Sequence, residues 1–396
     1  MEITSELDRI YSPIKDDLQV VEKSLYDLIP ADLEPISTVE RYILDNGGKR
    51  LRPALVLLSA RAVHSARAGL KPVLTSDSET KLDLSPGADA SGNSRIAALL
   101  SDRAVSFAVA AELIHTATLV HDDLLDGSVL RRGHRTINSR WGNEIAVLLG
   151  DHLYLKATEI LTSEDILNPE KSGDFKQIHR ASNLMLQTAA RIFKGEVLQH
   201  RRRGKLSTTE EDYFAIIESK SASFISSCCM IGALLDGDNC PGADKRLADY
   251  GLNLGIAFQI RDDILDIMGD EQRIGKAVGS DLKEGRLTLP VIHLLANASS
   301  DDRRYLESVL RTPADKGGSL FSWRRKSSRE SERNGFDKKK LQRIRKLLVD
   351  YGSIDYSTDV ASKFAEMAKR DLETIPDSQA KKSLVFLADH VMTREC

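Results

Sequence analysis

With 396 residues, of which 41% are hydrophobic, the chain can bury a sizeable core as one large domain or two. A formal charge of -3 and an aromatic share of 5% argue against nucleic acid as a partner, because they supply neither a basic field nor stacking platforms. The cysteines, Cys228, Cys229, Cys240 and Cys396, lack the number and spacing of a zinc or disulfide framework, which fits a reducing compartment.

The chain starts acidic, Met-Glu-Ile-Thr-Ser-Glu-Leu-Asp, without a signal-peptide or transit-peptide pattern, so the expected location is the cytoplasm. Apolar residues three and four apart predict amphipathic helices over 3–29 and 36–45, with Pro30 as the stop between them. Asn46-Gly47-Gly48 then suits a helix C-cap, and Pro53 the first turn of a helix running to about residue 66. Lys49, Arg50 and Arg52 are thereby held at a helix N-terminus. Free N–H groups, the dipole and the side-chain charges there all favour a diphosphate; the plainer alternative is a solubilising basic turn. Residues 67–95, rich in Ser, Gly, Asp and Pro, read as an insertion without chemistry.

The helix predicted over 104–125 is apolar around most of its circumference, as a core helix is. Ala111, His115, Thr118, Asp122 and Asp126 step by three or four and form one polar seam. Gly127 supplies the stop, so Asp122, Asp123 and Asp126 crowd the negative end of the helix. Three carboxylates so placed call for a counter-charge, and a hard divalent cation such as magnesium suits oxygen ligands. A solvated acidic end is the competing interpretation, and the apolar neighbours argue against it. Arg131 and Arg132 follow, within reach of a ligand bridged to that cation.

Further helices are predicted over 139–163, 174–202 and 207–235. The run Arg201-Arg202-Arg203 is expected only to complement a helix C-terminus, Lys220-Ser221 sits mid-helix where a buried amine needs an anion, and Cys228-Cys229 is packing. Residues 243–268 repeat the first motif as Asp262-Asp263-Ile264-Leu265-Asp266 before Gly269, with Gln259, Asp262 and Asp266 on one face. Two such motifs on separate buried helices could face each other and hold two or three cations with a polyanion between. The following loop adds Lys276 and Arg286 among glycines. Helices at 288–296, 301–310, 338–350, 355–373 and 378–393 complete the chain, and no run approaches the ~18 apolar residues of a transmembrane span. Residues 312–337 read as a basic, solvated insertion, the lesser alternative being a weak contact with anionic lipid heads at the membrane surface.

Gly-Gly-Lys-Arg-Leu-Arg-Pro at 47–53, Asp-Asp-Leu-Leu-Asp at 122–126 with Arg131-Arg132, and Asp-Asp-Ile-Leu-Asp at 262–266 together resemble the trans-polyprenyl diphosphate synthases, most nearly the long-chain bacterial type that makes quinone side chains. The resemblance covers nearly the whole chain apart from the two insertions. It implies an all-α, isoprenoid-synthase-type helical bundle around a deep central cavity, a single domain over 1–396 and a homodimer. It also implies magnesium-dependent head-to-tail condensation of isopentenyl diphosphate onto an allylic diphosphate, geranyl or farnesyl. By position Asp122, Asp126 and Asp262 are then the metal ligands for two or three Mg2+ ions, with Asp123, Asp263 and Asp266 in support. Arg131, Lys220, Ser221, Gln259 and Lys276 match positions on the allylic diphosphate, and Lys49, Arg52, His115 and Arg132 those on isopentenyl diphosphate. The family often has Lys-Thr at 220–221 and Lys at 286.

Ala117 and Thr118 lie about 6–8 Å up the helix from Asp122, where a growing tail must pass. Both are small, so a product longer than three or four isoprene units is expected; the alternative is that they merely permit close helix packing. A terpene cyclase would need neither the Lys49–Arg52 turn nor the second acidic motif. A regulatory subunit could have lost its acids, and a structural metal bundle gives no reason for three basic patches.

Overall fold

The structure, a computed structural model, describes residues 6–64, 103–167, 175–235, 240–269, 278–310 and 338–394. The insertions at 67–95 and 312–337, and Lys276, lie outside these residues. The described chain is almost wholly helical. Its long elements are α1 (Glu6–Tyr11), α2 (Lys15–Asp27), α3 (Ile36–Asp45), α4 (Leu51–His64) and α5 (Arg103–Asp126). A two-stranded hairpin, Leu130–Arg131 with His134–Arg135, and short α6 (Ile137–Trp141) lead to α7 (Asn143–Thr162), one turn α8 (Glu164–Leu167) and α9 (Phe175–Arg202). Next come α10 (Glu210–Ile217), continuous through a π-helical turn (Glu218–Ala222) with α11 (Ser223–Leu235), then α12 (Ala243–Met268) and one turn α13 (Ser280–Lys283). The chain closes with α14 (Leu289–Asn297), α15 (Ser300–Leu310), α16 (Lys338–Asp350), α17 (Ser353–Asp371) and α18 (Gln379–Thr393).

The two helices that carry the acidic motifs are buried over most of their length, and their neighbours are small where they must come close. A Cβ on Gly255 of α12 would lie 2.6 Å from the Ala222 Cα, and one on Gly251 would lie 2.7 Å from the Ser226 Cα. Gly232 of α11 likewise abuts Ser59 and the Val56 carbonyl of α4. These contacts stack α4, α11 and α12 as tightly packed layers, so a methyl added at any of the three glycines forces the helices apart. The apolar core forms two clusters, one around α4, α5, α7 and α11 and one around the second half of α12 with α14 and α17. Phe364 and Met392 pack against both.

Two helices, Arg103–Asp126 and Glu210–Leu235, are long and apolar enough to cross a membrane, which corrects the expectation that no stretch reaches that length. Of their apolar windows 72% and 50% is buried inside the protein, where the same composition serves as core.

Helix α5 stops as its sequence requires. Gly127 adopts φ 63, and the Ser128 N–H reaches back to the Asp123 carbonyl at 2.9 Å, so the acids sit in the last turns. Gly269 after α12 is different: it is not left-handed, with φ -71. The second motif is closed instead by the start of α13. The Gly279 N–H bonds the Asp266 carbonyl at 2.7 Å, while the Asp266 carboxylate accepts from the Ser280 hydroxyl at 2.6 Å and the Asp281 N–H at 3.1 Å.

Candidate active site

A cavity of about 860 Å³ opens between the two motif helices. From α5 and α12 it is lined by His115, Thr118, Asp122, Asp123, Gln259, Asp262 and Asp263, from the 46–53 turn by Lys49 and Arg52, from the hairpin by Arg131 and Arg132, and from the π-helical turn by Lys220 and Ser221. Asp126, Asp266 and Ala117 are not among the lining residues. Ala117 is packed into the core, whereas Thr118, one residue on, faces the cavity and donates to the His115 carbonyl at 2.7 Å.

One pole of the cavity is basic. The two-residue turn of the hairpin, Arg132-Gly133, needs positive φ at both positions, and Arg132 accordingly has φ 51. The turn aims the Arg132 guanidinium at Gly48, where a Cβ would stand 2.6 Å from it; Gly47 makes the same room for Arg50. The double glycine is therefore the space two guanidiniums pass through. Arg50 is also left-handed, at φ 50. It is clamped between Glu22 at 2.5 Å and the buried Glu112 at 2.8 Å, which pins the turn to α2 and α5. All three cations read in that turn border the cavity, and Arg50 among them is committed to two glutamates of the chain. Arg52 is half-buried over the Phe224 ring, 5.1 Å from its centre, with its buried Nε unpartnered. Burial, reinforced by Arg52, Arg131, Arg132 and Arg50, holds the His115 imidazole well below its ordinary pKa, so it is neutral. An orphaned buried donor among converging cations is a site built for an anion.

The other pole is acidic, and its carboxylates are held by cations of the same chain. The Lys220 amine lies 3.2 Å from Asp122 and also binds Glu196 of α9. Gly195 lets this happen: a Cβ there would be 2.6 Å from the Lys220 backbone nitrogen, so α9 seats directly on the π-helical turn. Burial, with Glu196 and Asp126 nearby, pushes the Asp122 carboxyl up to about 6 despite the amine. Asp126 pairs with Arg286 and with Arg203 at 3.4 Å. Both arginines also meet Glu284, whose carboxyl is driven to about 7 by burial and by Asp126 and Asp281. Arg131 grips both oxygens of Asp123 at 3.0 and 2.8 Å. In the second motif the buried Asp263 accepts from the Tyr213 hydroxyl at 2.6 Å and the Gln259 amide at 2.9 Å, and the Ser221 hydroxyl donates to Gln259 at 2.9 Å. Asp262 is bound by Arg394 at 2.6 Å.

Among the described residues no three His, Cys, Asp or Glu side chains are drawn together as an ion would draw them. The donor set nonetheless fits a hard divalent cation. It is all oxygen and comes from two walls of one cavity, and burial pushes its Asp122 carboxyl up to about 6.

Sequence reasoning brought most of these groups together but missed Glu196, Tyr213 and Arg394, which stand outside the motifs. It also misjudged Arg202 and Arg203. They do not merely cap α9: Arg203 links Asp126 of the first motif to Glu284 beyond α13, and Arg202 pairs with Asp212 at 2.5 Å.

Residues 34–320 match the family model for polyprenyl synthetase. The chain belongs to the polyprenyl synthetase family. It is 32% identical over 387 residues to the short chain isoprenyl diphosphate synthase of Methanothermobacter thermautotrophicus, covering 98% of this chain and 97% of that one. It is 30% identical over 389 residues to the octaprenyl diphosphate synthase of Escherichia coli, covering 98% and 99%. The crystal structure of a polyprenyl synthase from Caulobacter crescentus complexed with calcium and isoprenyl diphosphate superposes with a TM-score of 0.76 at 29% identity, covering 98% of each chain. This polyprenyl synthetase is accordingly a prenyl diphosphate synthase, a prenyltransferase with the all-α isoprenoid-synthase fold, and its substrates are isoprenyl diphosphates.

Proposed function

We propose that the enzyme catalyses magnesium-dependent, sequential head-to-tail condensation of isopentenyl diphosphate onto geranyl or farnesyl diphosphate, giving a long-chain all-trans polyprenyl diphosphate for quinone side chains. The observation that carries the reading is the two-pole cavity, with an anion seat at Lys49, Arg52, His115 and Arg132 opposite two acidic motifs. Asp122, Asp126 and Asp262 would hold two or three Mg2+ ions, which supply neutralisation of the allylic diphosphate as its C–O bond breaks. Lys220 and Arg131, already at the acidic pole, add fixed positive charge for the departing oxygen. Gln259, held between Ser221 and Asp263, offers an oriented amide on the same wall. At the other pole the cations hold the second diphosphate so that its alkene meets the allylic carbon, and positioning in a cavity shielded from water supplies much of the rate. No side-chain nucleophile is needed. The departing diphosphate serves as proton acceptor, and His115, kept neutral, binds rather than titrates.

A homodimer is part of this reading. Large apolar side chains lie exposed along one stripe of α7, Val147, Leu148, Tyr154 and Leu155, and along one of neighbouring α9, where Phe193 is 73% exposed. A second copy of the chain would bury such a face. Light scattering should therefore give twice the 43.8 kDa of one chain.

The test is incubation with farnesyl diphosphate, labelled isopentenyl diphosphate and Mg2+, followed by chromatography of the dephosphorylated product. A magnesium-dependent ladder reaching seven to ten isoprene units is expected, whereas a stop at three or four would refute the long-chain reading. Because Thr118 and not Ala117 lines the cavity, Thr118→Phe should shorten the ladder more than Ala117→Phe.

A further inference from the structure

The basic pole of the cavity contains a carboxylate that an anion seat does not call for. Glu112 of α5 is buried, borders the cavity one turn from His115, and has no hydrogen bond to its Oε2 among the described residues. By charge alone it opposes a diphosphate held at Lys49, Arg52, His115 and Arg132. Its other oxygen accepts from Arg50 Nη1 at 2.8 Å, while Glu22 of α2 accepts from Arg50 Nε at 2.5 Å and Nη2 at 3.0 Å. Arg50 is in turn the pivot of the seat. Its carbonyl accepts the first bond of α4, from the Ala54 N–H at 3.0 Å, so Lys49 stands outside the helix and Arg52 inside its first turn. The backbone of Arg50 therefore sets the angle between those two cations. That backbone is left-handed at φ 50, a conformation rare outside glycine, and arginine has no side-chain acceptor with which to cap the helix.

We propose that Glu112 is a positioning residue for the second diphosphate: through Arg50 it fixes the left-handed turn that aims Lys49 and Arg52 into one seat. The proposal rests on the reading of the basic pole as the place of isopentenyl diphosphate. A strained backbone conformation persists only where its surroundings overdetermine it. Here carboxylates from two separate helices meet one buried guanidinium, and Gly47 leaves it room, since a Cβ there would lie 2.6 Å from Nη2. The Glu22 side chain is 41% exposed and that of Glu112 5%, so water screens the first grip and Glu112 carries the larger share. The two effects of Glu112 on a bound diphosphate have opposite signs. As a bare charge it repels the ligand, and its loss frees Arg50 to turn a cation inwards. As half of a clamp it keeps Lys49 and Arg52 convergent, and its loss weakens the seat. The clamp is the larger effect, because Arg50 already neutralises the carboxylate at hydrogen-bond distance and little repulsion reaches further.

The experiment measures initial rates of condensation by the full chain with Mg2+, varying isopentenyl diphosphate at saturating farnesyl diphosphate and then the reverse. It compares wild type with Glu112→Ala, Glu112→Gln, Arg50→Met and the double variant Glu112→Ala/Arg50→Met, with circular dichroism melting to confirm the fold. Glu112→Ala is expected to raise KM for isopentenyl diphosphate about tenfold, while KM for farnesyl diphosphate stays within about twofold of wild type. Glu112→Gln, which keeps an acceptor for Arg50 without the charge, should raise it about threefold. Arg50→Met should match Glu112→Ala, and the double variant should be no worse than either, because one clamp is lost only once. An unchanged or lowered KM for isopentenyl diphosphate in Glu112→Ala would overturn the proposal, and an equal rise in both KM values would reduce Glu112 to a structural acid. A KM in Arg50→Met far above that of Glu112→Ala would also overturn it, as the mark of an arginine that touches the ligand itself. Absence of condensation by wild type would instead overturn the reading of the basic pole, and the proposal with it. Should Glu112→Ala fail to fold, Glu112→Gln carries the comparison, and an unchanged or lowered KM there overturns the clamp.

Discussion

The two acidic motifs share spacing and a place at the end of a buried helix, yet they are partnered by different kinds of group. The first, at Asp122, Asp123 and Asp126, is ringed by full cations from four other places in the chain: Arg131, Arg203, Lys220 and Arg286. The second is held largely by neutral donors, the Tyr213 hydroxyl, the Gln259 amide, the Ser280 hydroxyl and a backbone N–H, with Arg394 as its cation. A duplicated sequence pattern has thus become two different electrostatic devices. The first already contains the positive charge that a departing diphosphate needs. The second faces it across the cavity, with Asp263 and Asp266 held by hydroxyl, amide and backbone donors.

The largest effect that would break this contrast is at the first motif. Asp122→Ala should lower condensation by about 10³-fold, because on the proposed reading a metal ligand and the partner of Lys220 go together. Circular dichroism should show the fold intact, since Asp122 lines a cavity and is not core. Retained activity would remove the first motif from the chemistry, and an unfolded variant would favour a structural metal. A middle-sized effect probes the neutral wall. Tyr213→Phe deletes a buried donor to Asp263 and should cost about 1–3 kcal/mol of stability, read by urea unfolding. A cost near zero would mean that Asp263 is not held by that hydroxyl.

The smallest effect concerns pH. Burial, and then Asp281, raises the Asp263 carboxyl well above its ordinary value near 3.8. A raised folded-state value means that its contribution to stability is fully present below about pH 4 and is lost as the pH climbs through the folded value. In chelator, wild type should therefore lose melting temperature relative to Asp263→Asn as the pH rises from 4 to 8. Parallel curves would show that Asp263 ionises as freely folded as unfolded.

Much of this was legible in the sequence because it is local. Helix periodicity placed nearly every long helix within a few residues, Gly127 announced the stop of α5, and a buried lysine at 220 announced an anionic partner. What stayed hidden depends on residues far apart in the chain. Glu196 is one glutamate on an amphipathic helix until Gly195 seats it against Lys220. Arg394 stands 132 residues from Asp262, and nothing near it marks it as a site residue. The arginine run at 201–203 looked like a helix cap because charge composition does not tell which side chain will turn inwards. Arg50 erred the other way: its basic neighbours suggested a ligand, while two glutamates from α2 and α5 had claimed it.

The cavity wall is shared by the first and last helices. Leu7 and Tyr11 of α1 line it together with Leu387 and Val391 of α18, and His390 joins Glu6 at 2.9 Å across the seam. During synthesis this pocket cannot exist until α18 has left the ribosome and returned to a partner made some 380 residues earlier. A nascent chain can hold both acidic motifs and the basic turn and still lack the wall that α18 contributes.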